Sequence, residues 1–144
     1  MAGNINQVGF KGISFPFRFN GRGGVATSTT SSDDFSHIKE GIQQIIGTAI
    51  GERVFETKFG SEVYRYNFQN QDDPIELSRL RFYIEEAINK WEDRVELLDV
   101  QVTPIENEEN IGYTLVEVEF KVLKYMKSDT VTMKIKGWYM WKRL

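Results

Sequence analysis

The sequence predicts an α+β fold: two amphipathic helices packed on a three-stranded antiparallel meander, preceded by an extended N-terminal segment. Three observations carry this. Apolar residues recur at three- and four-residue steps in two stretches, residues 34–50 and 73–91, which is the period of a helix with one buried face. Apolar and polar residues alternate over 98–103, 113–125 and 130–136, the period of half-buried strands. The links between the last three stretches are short, so successive strands pair antiparallel and the helices cover one face.

At 144 residues the chain is expected to be one domain, with 1–32 an extended N-terminal segment and 126–144 a C-terminal strand and tail. The absence of cysteine excludes disulfides, thiol nucleophiles and thiolate metal sites, and a lone His37 excludes a histidine cluster. No cofactor or metal is expected. No apolar run reaches the roughly 20 residues that a membrane span requires, and the start lacks the basic and apolar regions of a signal peptide, so the expectation is a cytoplasmic, soluble chain with no membrane partner. The net charge of −3 hides an asymmetry. Residues 121–144 hold seven Lys and Arg against Asp129 alone, a net +6, which leaves −9 on the first 120. Such lysines either guard a solvated strand edge or form a basic docking surface for an acidic partner.

The first 32 residues are rich in glycine and serine and lack helical periodicity. Phe15, Phe17 and Phe19 around Pro16 suggest an extended segment laid on something apolar. Asn20 to Gly24 is a turn signal. It is not a phosphate-binding loop, because it lacks the preceding strand, the following helix and the Gly-Lys-Ser/Thr ending. A short strand is expected within Val25–Thr30.

The first helix is expected from Asp34 to Ile50, capped by Ser32 or Asp33, with Phe35, Ile38, Ile42, Ile45, Ile46 and Ala49 on its apolar stripe. His37 lies off that stripe beside Asp33, Asp34 and Glu40 and reads as a solvated surface histidine. Gly51 takes the C-cap position. The loop through Phe59, Gly60 and Ser61 holds Phe55 and Phe59 as buried-type aromatics, and Val63, Tyr64 and Phe68 suggest a short helical turn. Glu52 and Arg53 either form a surface ion pair of little consequence, or Arg53 reaches Glu92 and ties the two helix ends together.

Asp73-Pro74-Ile75-Glu76 opens the second helix, with Asp73 as N-cap, Pro74 at the first helical position and Glu76 placed for a capping box. Leu77, Leu80, Ile84, Ala87, Ile88 and Trp91 form its stripe. After Trp91-Glu92-Asp93-Arg94 the period becomes two, with Leu98, Val100 and Val102 on one strand face. Pro104 is expected to stop that strand before an acidic loop at 106–110. In the next strand Val116, Val118, Phe120 and Val122 share a face; Met126–Asp129 is the expected turn, and Val131, Met133 and Ile135 alternate with Thr130, Thr132, Lys134 and Lys136. Gly137 reads as a bulge before Trp138 and Trp141.

These residues carry a resemblance. A helix, then Gly51, Glu52, Arg53, Phe59 and Gly60, a second helix ending at Trp91, and Glu92 with Arg94 entering a strand resemble the baseplate wedge or sheath-initiator family of contractile tails, sometimes labelled lysozyme-like. That family's second motif is Glu-Pro-Arg; here Asp93 replaces the proline, which keeps the charged pair and removes a rigid turn. The N-terminal Gly12 to Phe17 also fits the family pattern, and the likeness covers residues 12–125. The resemblance implies a structural, non-enzymatic protein of the tail baseplate in the virion, assembled in the host cytoplasm and present in six copies. Its partners would be the baseplate wedge proteins and the tail sheath protein, whose first ring it would initiate. Phage tails, tail-like bacteriocins and type VI secretion baseplates are the settings the family serves.

The strand Thr130, Val131, Thr132, Met133, Lys134, Ile135, Lys136, followed by Trp138 and Trp141, is the sheath-docking candidate, since an edge strand accepts a partner strand through main-chain bonds. The alternative is that this strand is core and its tryptophans are buried. The competing class is a cell-wall glycosidase, which needs two carboxylates flanking the scissile bond. Glu52, Glu56, Glu92 and Asp93 are its candidates, but arginines beside Glu52 and Glu92 disfavour a general-acid role. Nucleic-acid binding through the basic C-terminal hairpin is disfavoured by the acidic remainder of the chain.

Overall fold

The computed structural model describes residues 9–69, 73–105 and 112–136. In chain order it contains strands β1 (Phe10–Ile13) and β2 (Thr27–Thr30), helix α1 (Ser36–Gly47), a 3-10 helix (Val63–Phe68), helix α2 (Pro74–Trp91), and strands β3 (Val95–Ile105), β4 (Tyr113–Val122) and β5 (Lys127–Lys136). The class is α+β, with a two-stranded sheet added to the expected three-stranded meander. Two compact units are formed, Met1–Gln44 and Ile45–Leu144. Among the described residues no helix is long and apolar enough to cross a membrane.

In the first unit the N-terminal segment is a paired hairpin, not merely an extended strand. β1 and β2 run antiparallel from Phe10 opposite Thr30 to Ile13 opposite Thr27. Pairing continues outward through Ser14 N–H to Ala26 O (3.0 Å), Ala26 N–H to Arg18 O (2.9 Å) and a bridge between Phe19 and Val25. The expected turn closes the tip: Asn20 Oδ1 accepts from Arg22 N (3.0 Å) and Gly24 N (2.9 Å). The expectation of aromatics laid on an apolar bed fails within the described chain, since Phe15, Phe17 and Phe19 are exposed. Small residues take the inner side. Gly12 sits on the His37 ring, where a Cβ would come within 2.3 Å of it, and Ser14, Ser28 and Thr30 are buried. His37 is therefore half-buried rather than solvated, with Nδ1 2.9 Å from Ser28 Oγ.

Helix α1 starts two residues later than expected because Asp34, not Ser32 or Asp33, supplies the terminal acceptor. Its carboxylate accepts from Ser36 N (2.9 Å) and from Thr29 Oγ1 (2.6 Å), bonds that hold its carboxyl below the ordinary 3.8, the Thr29 bond contributing most. At the other end the helix stops at Gly47, so Gly51 is no C-cap.

In the second unit α2 begins as predicted, Asp73 accepting from Ile75 N at 2.9 Å with Pro74 in the first turn. The capping box does not form: Glu76 pairs with Arg79 at 2.7 Å instead. Leu80, Ile84, Ala87 and Ile88 are buried, and α2 packs on β3. Burying each Leu or Ile contributes roughly 1.5–3 kcal/mol, so Ile84→Ala would cost about 2–5 kcal/mol.

The meander has the order β3-β4-β5, antiparallel throughout. Thr114, Val116, Val118, Phe120 and Val122 of the central strand are buried while Glu117 and Glu119 are exposed, and Tyr66 Oη meets Thr114 Oγ1 at 3.0 Å inside this core. Three boundaries differ from expectation. β3 runs through Pro104 to Ile105, tolerable because β3 is an edge strand, whose outward side needs no N–H. The register slips between Leu97 and Asp99, so Leu98 sits in a bulge and is 46% exposed rather than sharing a face with Val100 and Val102. The last turn is Leu123–Met126, not Met126–Asp129: Met126 takes a left-handed φ of 52° and β5 already begins at Lys127, opposite Val122. The expected acidic loop 106–110 and the Gly137 bulge lie outside the described residues.

Candidate docking site at the helix–strand junction

The loop after α1 is a closed, hydrogen-bonded structure. Ser61, 2% exposed, returns to the helix end: its N–H donates to Thr48 O (2.9 Å) and its hydroxyl to Ile46 O (2.9 Å). Ser61 thus satisfies carbonyls that a helix terminus leaves open, which explains why the helix ends at Gly47. Gly60, at φ +114°, makes the approach possible, since a Cβ there would lie 2.3 Å from Thr48 O. Within the loop Gly51 N–H donates to Thr57 O (2.8 Å), and Glu52 Oε2 accepts from Ala49 N (2.8 Å).

Arg53 makes neither of the two contacts weighed from the sequence. Its guanidinium lies 3.7 Å above the centre of the Phe59 ring. Phe59 in turn packs on Trp91, the last residue of α2, with ring centroids 5.1 Å apart and planes tilted by 55°. A cation on a ring on a ring therefore joins the loop to the end of α2. Phe55, expected to be buried, is 90% exposed at the loop's far side with Val54 at 86%.

The next residue, Glu92, is the helix C-cap, and its side chain is 4% exposed. A buried carboxylate requires a partner. Arg94 supplies it bidentately, Nε to Oε1 and Nη2 to Oε2, both at 2.6 Å, and that contact raises the guanidinium's pKa further. No third residue is needed to close the turn, so Asp93 in place of proline is accommodated and stays exposed. The Arg94 side chain is 42% exposed, so one side of the guanidinium is fixed and the other faces outward. Arg94 O also accepts from Leu123 N (3.0 Å), tying the junction to the β4–β5 turn. The sequence motifs thus form two local clusters linked by aromatic rings, with no direct contact between Arg53 and Glu92.

Two of the four nominated acids are occupied structurally. Glu52 holds Ala49 N–H and Glu92 holds Arg94 with both oxygens; Glu56 and Asp93 are exposed. Among the described residues no group of three or more His, Asp or Glu could hold a metal. An open groove of about 270 Å³ runs beside the loop, lined by Ile50, Glu62, Tyr83, Glu86 and Lys90, mixed in charge. Of the sheath-docking candidates, Thr130 to Lys136 lie on the edge strand β5, with Val131 buried, Met133 and Ile135 half-buried, and Thr130, Thr132 and Lys134 exposed. Trp138 and Trp141 lie outside the described residues. Thr48 and Ser61 were missed as motif residues; a glycine followed by a small hydroxyl at the loop's return was the available signal.

A loop closed by its own hydrogen bonds, a half-exposed Arg94 paired with the buried Glu92, and two carboxylates engaged internally make a fixed surface rather than a cleft with free acids. The family model described as baseplate wedge protein gp25 matches residues 32–125. The chain belongs to the baseplate wedge protein gp25 family. It is 33% identical over 87 residues to the baseplate wedge protein gp25 of Enterobacteria phage T4, a match covering 60% of this chain and 62% of that one, under two thirds of the relative's length. A crystal structure of a protein from Geobacter sulfurreducens, provisionally named a tail lysozyme, is similar with a TM-score of 0.65 and 30% identity over 72% of this chain and 91% of that one. The anti-feeding prophage baseplate structure holds a chain of the same fold, with a TM-score of 0.60 and 18% identity, covering 94% of this chain and 91% of that one.

Proposed function

We propose that the chain is a structural subunit of a contractile-tail baseplate, located in the tail particle, that joins the wedge core to the first ring of sheath subunits. In this reading the entire chain, 1–144, acts as one assembly unit, six copies surround the tail axis, and assembly takes place in the host cytoplasm. The carrying observation is the edge position of β5 in the β3-β4-β5 sheet of a gp25-family chain. On its apolar side Val131 is buried and Met133 and Ile135 are half-buried, while Thr130, Thr132 and Lys134 are exposed, so the main chain is presented beside polar and basic side chains. An incoming sheath strand gains main-chain hydrogen bonds there, and the lysines favour an acidic strand while opposing self-pairing. Trp138 and Trp141 follow as large apolar anchors of the type enriched at interface hot spots. The outward half of Arg94 and the stacked loop beside it suit the wedge-core contact, because both are held rigid before binding.

The role proposed is not enzymatic. Glu92, the carboxylate a lysozyme-like reading would nominate, is buried with both oxygens engaged by Arg94, which leaves neither oxygen to reach a substrate. The test is charge reversal on β5. Lys134→Glu combined with Lys136→Glu, shown folded by circular dichroism, should yield baseplates without sheath under negative-stain microscopy. Normally sheathed tails from that variant contradict the docking role.

A further inference from the structure

The N-terminal hairpin lies outside the family match, which begins at residue 32. Its surface is unlike that of an ordinary exposed hairpin. Ile13, Phe17 and Phe19 are 63, 61 and 68% exposed, and the two rings meet edge-to-face with centroids 5.5 Å apart. All the charged residues among the first 32 are cations: Lys11, Arg18 and Arg22. The hairpin is also fixed before any partner arrives. Its tip is closed by the Asn20 side chain, and its bend is held by Glu40, whose Oε2 accepts from Phe15 N (3.1 Å) and whose Oε1 lies 3.7 Å from Arg18 Nη2. The inner side of the hairpin is already filled by His37 against Gly12.

Clustered exposed aromatics on a preorganised element with arginines are the composition of an interface core. We propose that this hairpin is a docking finger for an acidic, apolar protein segment: its rings seat against apolar side chains while Lys11, Arg18 and Arg22 meet carboxylates. This rests on the baseplate reading only for where the partner is found, in another protein of the same particle. Charge decides between chemistries. Beyond the first 32 residues the chain carries a net −6, −12 over 33–120 offset by +6 over 121–144, and this disfavours extended polyanions such as nucleic acid or an anionic bilayer more than a short acidic peptide segment bound locally to three cations.

The test places the photo-crosslinking amino acid p-benzoylphenylalanine at Phe17 of the full chain, in assembled particles, and sequences the crosslinked peptides. The result expected is a peptide from a different protein, containing at least two Asp or Glu interspersed with apolar residues. Crosslinks confined to the same chain, to another copy of it, or to a peptide without acids overturn the proposal, as does a lack of crosslinks in particles that contain the chain. Particles lacking the chain altogether would instead contradict the baseplate reading. In parallel, Phe17→Ser with Phe19→Ser removes two exposed rings that the hairpin's own bonds do not need. It should leave the melting transition unchanged and lower incorporation into particles at least tenfold; unchanged incorporation overturns the finger. Binding of the purified chain to vesicles of phosphatidylcholine and phosphatidylglycerol at 3:1, or to a 20-nucleotide oligo-dT, lost in that variant, would assign the surface to lipid or nucleic acid and likewise overturn it.

Discussion

Arg94 closes on Glu92 through two nitrogen–oxygen contacts of 2.6 Å, across a single intervening residue, at the point where α2 becomes β3. The pair is asymmetric: the carboxylate is buried and the guanidinium half-exposed. Most of its value to folding therefore lies in what happens when it is broken, since an unpaired buried charge is left behind.

Arg94→Ala should accordingly destabilise the chain by roughly 2–3 kcal/mol, below the 3–5 kcal/mol of a fully buried pair because water can reach the Arg94 side. Glu92→Gln keeps the shape and removes the charge, and should cost about 1–2 kcal/mol. Urea unfolding of the two variants checks the order. If the costs are reversed, the carboxylate is not the buried member that matters. The same Glu92→Gln variant bears on chemistry: wild-type protein with peptidoglycan should release no reducing ends above a blank, and turnover abolished by this change would contradict the structural role.

Gly60 and Gly51 both have positive φ, yet they should respond differently to alanine. At Gly60 the new Cβ meets Thr48 O at 2.3 Å, while at Gly51 nothing lies within 4 Å. Gly51→Ala carries only the left-handed backbone cost, about 1 kcal/mol. Gly60→Ala adds a backbone collision and should cost at least about 3 kcal/mol. Equal losses in thermal or urea unfolding would mean that the Ser61 return to Thr48 is dispensable.

Asp34 gives the pH dependence a sign. Its carboxyl is held below the ordinary 3.8, chiefly by Thr29 and then by Ser36 N–H, so its stabilising effect is complete above that value and is lost as pH falls through the lowered folded-state value. Asp34→Asn should therefore be less stable than wild type at pH 6, with the difference shrinking as pH drops below about 4. The group is exposed, so the gap is small and needs full urea curves at each pH. A difference that grows on acidification would contradict the assignment.

Much of this was legible because it depends on local periods and charge. The stripe of α2, its Asp73–Pro74 start, the inward valines of β4 and the alternation of β5 all follow from spacing that any buried face imposes. The misses share a physical cause, namely contacts between residues far apart in sequence. Gly51 looked like a helix cap, but Ser61, fourteen residues after Gly47, ends the helix instead. Arg53 lay beside a carboxylate in sequence and found an aromatic ring in space. Pro104 stops strands in general, though not on the edge that β3 occupies. Of the N-terminal hairpin the turn at Asn20–Gly24 and a strand within Val25–Thr30 are legible, but the pairing of the two strands is not, because Ser14, Ser28 and Thr30 are buried while Phe17 and Phe19 are exposed, the reverse of the pattern that usually announces a strand.

Docking of sheath on the edge of β5, as proposed, would be visible in an electron cryomicroscopy reconstruction of the assembled baseplate with its first sheath ring. The expected map has a sheath strand hydrogen-bonded along β5 over residues 130–136. A map in which that edge faces solvent, with sheath seated on another surface of the chain, would contradict it.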